Sequence, residues 1–139
     1  MSRAELQQFA EDRILDAQAL LAAQRWSGAY YLAGYAVECG LKSCVLAHVE
    51  RTGVIFVDRK FAEKCWTHDF EDLVKLAELI GVLGLAIAAN PILEDNWKTV
   101  TKWDEVSRYQ QKTQLQAQKL FDAVNDPTNG VLQWIRVHW

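Results

Sequence analysis

Few residues in this sequence have types and spacings suited to chemistry. Glu38 lies in the largely apolar run Ala29–Cys44, and at 100° per residue it is grouped with Tyr31, Gly34, Tyr35, Leu41 and Val45. An ionised carboxylate stranded in such company costs on the order of several kcal/mol, so it requires a partner. Lys42, four residues on in the favoured orientation, is the nearest. His68 precedes a segment whose first turn holds Asp69, Glu71 and Asp72. It either helps cap or bridge that helix end or moves protons. Arg108 and Tyr109 close the stretch Trp103–Tyr109, which reads as a shaped loop too polar and irregular to be core. A guanidinium beside aromatics can hold a phosphate or a carboxylate in a fork. Arg108 is therefore a ligand-binding residue or the partner of Glu38, and spacing leaves both readings open.

Other chemistries find less support. Cys44, His48, Cys65 and His68 could supply four zinc ligands on paper, but paired Cys-x-x-Cys spacing is absent and the first two fall in a helix with every sign of being core. No metal is expected. The helical glycines follow no strand, so they form no phosphate loop, and no cofactor is expected. Ser27 and Ser43 have plainer roles, as a helix cap and a small helix residue, than as nucleophiles.

The elements that must position these residues are helical. The 139 residues fit a single domain, 1–139, and the half that is apolar or aromatic suffices for a core. Ser2 and Glu5 form a capping box for a first helix ending near Ala23. A central helix follows from Trp26 to Arg51, apolar on nearly every side and so placed in the middle of a bundle. Gly28, Gly34 and Gly40 within it imply close backbone approach by a neighbouring helix or a second subunit. Val54–Val57 reads as an ordered loop, and Asp58–Trp66 as a short helical turn with Phe61 and Trp66 inward. Thr67 or Asp69 caps a third helix running to Ile80, after which Gly81 to Ala89 reads as a turn. Asn90 and Pro91 open a fourth helix, and a fifth runs from about Gln110 to Val124. A short element, Val131–Trp139, closes the end. The result is an all-α, up-and-down bundle of about five main helices.

Charge and cysteine usage bound the partners. A net charge of −3 without blocks of like charge lacks the signature of a protein that binds nucleic acid by charge alone, although a local basic patch is compatible with it. Three cysteines cannot all pair internally, which favours a reducing cytoplasm, and no run of eighteen apolar residues predicts a membrane segment.

The stretch Ala29–Cys44 resembles the second helix of HEPN domains, the helical domains found beside minimal nucleotidyltransferases and in many RNases of prokaryotic conflict systems. His68-Asp69-Phe70 with Leu73 and Leu76 resembles the His-Asp-Leu helix start of HEPN-like proteins. Trp97, Trp103, Ser107-Arg108-Tyr109, Gly130-Val131-Leu132 and Trp134-Ile135 resemble a bacterial subgroup. The resemblance spans about Ala17 to Trp139. It implies an all-α bundle, a homodimer with a shared polar cleft, and, in catalytic members, metal-free RNA cleavage by an Arg followed after four to six residues by a His. Arg108 matches the Arg by placement, at the start of the last long helix. Thr113, Gln114 and Leu115 fill the three positions open to the His. The resemblance then implies a non-catalytic module binding nucleotide or RNA and partnering a nucleotidyltransferase, with Glu38, Lys42, Arg108 and Tyr109 as ligand-binding residues. The alternative is a metal-independent endoribonuclease, a toxin, using Arg108 with His68. A second alternative is a purely structural dimer.

Overall fold

Ser2 and Glu5 exchange hydrogen bonds across the first turn of α1 (Arg3–Ala22), as the capping box requires. The computed structural model describes all 139 residues and contains no strand. Gln24, at φ 60°, turns the chain back into α2 (Trp26–Thr52), which lies along α1. After a 3₁₀ turn at Val54–Phe56 come α3 (Phe61–Lys64), α4 (Phe70–Leu76), α5 (Ile80–Ala89) and α6 (Pro91–Val100). A second 3₁₀ turn, Glu105–Tyr109, leads to α7 (Gln114–Asn125) and α8 (Val131–Arg136).

The central position of α2 follows from its all-round apolarity. It touches α1, α4, α7 and α8, and Val37, Leu41 and Val45 are all buried. Its glycines are sites of close approach, and the approaching groups belong to the same chain. A Cβ at Gly34 would collide with the Trp103 indole, and one at Gly40 would meet Ile135 Cγ2 at 2.9 Å. Trp103 is thus pressed onto the α2 backbone and stacks on Phe70 at 5.2 Å and on Tyr31 at 5.8 Å between ring centroids.

The structure corrects several expected details. Eight α-helices replace the five with one closing element. Gly81–Ala89 is part of helix α5 rather than a turn: its two glycines are outnumbered by strong helix formers, and no polar turn residue interrupts them. Trp66 points out, at 82 % exposure, while Phe61 of the same segment is buried. Trp103 is core, at 4 % exposure, so the stretch expected to be too polar for the interior contributes one of its main aromatic contacts. The last long helix begins at Gln114 because Thr113 and Gln116 form a capping box there. Ser27 does not cap α2; the capping position is Arg25, and Ser27 Oγ accepts a hydrogen bond from the Lys112 amide. Asp69 and Asn90 cap α4 and α6 as expected. No helix is long and apolar enough to cross a membrane.

Candidate functional site

The residues singled out by type and spacing fall into two separate places. Glu38 is 2 % exposed, and a single carboxylate oxygen, Oε1, serves two partners. Lys42 Nζ donates to it at 2.8 Å from one turn along α2, and His68 Nδ1 lies 2.6 Å away. With a carboxylate as acceptor, Nδ1 is the donating nitrogen, and Nε2 is left without a partner in the chain. The buried carboxylate therefore ties the entry to α4 onto the central helix. Paired in this way, its burial is tolerable.

His68 stands on the wall of a polar cleft of about 590 Å³, shared with Asp69, Glu71, Lys102, Asp104 and Glu105. Four carboxylates against one lysine make this cleft a poor receiver of phosphate. Its floor includes Phe70 and Trp103, so the aromatic stack fixes its shape.

Arg108 is not the partner of Glu38. It lies in the 3₁₀ turn ahead of α7, exposed, with its guanidinium 4.9 Å from the centre of the Tyr109 ring. Both residues line a groove of about 620 Å³ at the N-terminal end of α2, formed also by Arg25, Trp26, Ser27, Gly28, the three glutamines 24, 110 and 111, and Lys112. Glu38 is ten residues further along α2, about 15 Å at the helical rise. Three cations and no carboxylate line this groove.

The start of α2 adds to its positive character. Arg25 at the capping position offers no side-chain acceptor. Trp26, Ser27 and Gly28, the first turn of this 27-residue helix, line the groove, so the positive end of the helix dipole lies beside it. Lys112 continues into a neighbouring hollow with Lys102 and Lys119, again without a carboxylate, and its Nζ lies 4.6 Å from the centre of the Tyr30 ring. Arg25, Arg108, Lys112, Lys102 and Lys119 thus follow one another around two joined depressions.

The expected ligand set is divided by the structure: Arg108 and Tyr109 share the basic groove, while Glu38 and Lys42 form an internal network with His68. Sequence reasoning missed Arg25 and Lys112. No local signal marks them, because the Lys112–Ser27 hydrogen bond that joins their segments spans 85 residues. Cys44, His48, Cys65 and His68 do not converge, and no three His, Cys, Asp or Glu side chains gather where they could hold a metal. Comparison with protein-family models, curated proteins and solved structures finds no match.

Proposed function

We propose that this chain is a non-catalytic, HEPN-like module that binds nucleotide or single-stranded RNA phosphates in the groove of Arg25, Arg108, Tyr109 and Lys112. It works as a homodimer with a nucleotidyltransferase partner in the cytoplasm. The observation that carries the reading is the uncapped start of α2 in a groove of three cations and no carboxylate. Helix-start amides, a forked guanidinium and an ammonium suit phosphate oxygens, and the exposed Tyr109 ring offers a stacking surface for a base. The HEPN resemblance supports the nucleotide reading, and the missing His after Arg108 supports binding without cleavage.

The test is anisotropy of a fluorescein-labelled uridine decamer. Arg108→Ala should weaken binding by about tenfold or more, the value of one charge-assisted contact, with unchanged unfolding. Equal affinity in wild type, Arg25→Ala and Arg108→Ala would reject the groove.

The rival reading, a metal-independent endoribonuclease, is favoured by one observation. The Glu38–His68 hydrogen bond orients an imidazole whose Nε2 is free for proton transfer. Within one chain Arg108 and His68 do not share a groove, so this reading needs a second protomer to bring them together. Metal-independent cleavage of the decamer, abolished by His68→Ala, would establish it.

A further inference from the structure

A second groove, independent of the basic one, lies where α1, α2, α3 and α4 meet. Its volume is about 430 Å³, within the range of small-molecule sites, commonly ~300–1,000 Å³. Its walls are apolar, with Val45, Leu46 and Val49 from α2, Phe61 and Ala62 from α3, and Leu73 from α4. One lining side chain carries charge, Lys42, and no carboxylate lines the groove. The Lys42 ammonium has three donors and spends one on Glu38. Its charge is felt on the groove wall: burial raises the Cys65 thiol above its ordinary range and Lys42 acts in the opposite direction.

We propose that this groove binds a medium-chain acyl carboxylate, the chain lying along Val45, Val49, Phe61 and Leu73 and the carboxylate on Lys42. Charge complementarity decides the occupant. An all-apolar guest would cover the part-exposed Lys42 side chain without meeting its charge, whereas an anionic head on an apolar tail meets both the wall and the donors that Glu38 leaves free. A phosphate-rich ligand fails the other half of the match, because it offers the apolar walls nothing. This site goes beyond nucleotide binding and shares no residue with the Arg108 groove.

The experiment is an amide ¹H–¹⁵N spectral titration of the full chain with sodium decanoate and, separately, with 1-decanol, both kept monomeric. Decanoate should shift the signals of Val45, Val49 and Ala62 saturably and bind about tenfold more tightly than decanol, the factor expected for one charge-assisted hydrogen bond. Ala62→Trp, at an exposed position on the groove wall, should fill the groove and abolish both. Lys42→Met should bind the two probes equally. Should that variant fail to fold because Glu38 loses its partner, Ala62→Trp still decides the case. Absent saturable shifts, equal affinity of the wild type for decanoate and decanol, or undiminished binding by Ala62→Trp would overturn the proposal. So would adsorption to phosphatidylglycerol vesicles without any response to monomeric decanoate. That outcome would make the groove and its exposed neighbours Phe56, Val57 and Trp66 a lipid-docking face.

Discussion

At the scale of single residues, the clearest contrast is between two charges that sequence alone could have paired. Glu38 is interior and answered by Lys42 and His68; Arg108 is exposed and meets the Tyr109 ring. Glu38→Gln keeps the shape but removes the ion pair, so it should lower stability by about 1–3 kcal/mol in urea unfolding. Arg108→Ala should change stability by less than about 0.5 kcal/mol. The reverse order would mean that Arg108 is structural. The Lys42 partner was legible because i,i+4 neighbours meet on any helix. His68 was not, since thirty residues, a 3₁₀ turn and α3 separate it from Glu38, and nothing local records that they meet. The thiols divide in the same way. Burial pushes Cys39 up to about 11 and Cys44 up to about 12, while Cys65 is only partly covered. Because the thiolate is the nucleophile, iodoacetamide at pH 8 should label Cys65 first and spare the other two until unfolding. Mass spectrometry showing equal labelling of all three in the native protein would contradict this.

At the scale of elements, glycine spacing in α2 announced close contacts without naming their partners. Trp103 and Ile135 take up Gly34 and Gly40 from within the chain, so these glycines are no argument for a subunit contact. Gly34→Ala should therefore be costly despite its better helix propensity. The indole is held between Phe70 and Tyr31 and has little room to retreat, so a loss of about 1–3 kcal/mol is expected. Trp103→Leu, destabilising alone, should make the second change at Gly34 less harmful, a coupling that a double-mutant cycle reads directly. Strict additivity would show that the contact is looser than drawn. Periodicity found α1, α2, α4, α6 and α7 because each buries a stripe or more. It missed α5, whose residues are almost uniformly apolar or small; with only Leu83 of the helix fully buried, no periodic contrast marks it. The inward expectation for Trp66 failed for a related reason. Size and apolarity argue for burial, but α3 is a single turn that buries Phe61 and leaves the following residues at the rim.

At the scale of the whole molecule, Trp97 and Trp103 are large aromatics of the kind that anchor interfaces, yet they are 7 % and 4 % exposed in one chain and have little surface to offer a partner. The proposed homodimer would have to bury other surface, and sedimentation showing a monomer at micromolar concentration would remove it from the functional reading. The net charge of −3 misleads in a similar way, because it averages over an uneven distribution. Carboxylates gather around the His68 cleft, which Lys102 also borders, and around the hollow where Lys119 meets Asp95, Asp122 and Asp126, while the groove of Arg25, Arg108 and Lys112 is lined by none. Counterion release makes this segregation measurable. Each phosphate neutralised on a single strand contributes about −0.7 to the slope of log K against log salt. The Arg25, Arg108 and Lys112 groove alone predicts a slope of about −2 for the uridine decamer, and continuation through Lys102 and Lys119 predicts about −3.5. Lys119→Ala then discriminates between the two paths: a strand that follows the whole stripe loses about 0.7 from its slope, whereas one held only at the start of α2 does not change. A slope near zero in the wild type would mean that stacking on Tyr109 and Trp26, rather than phosphate contact, supplies the affinity, and the basic groove would lose its role.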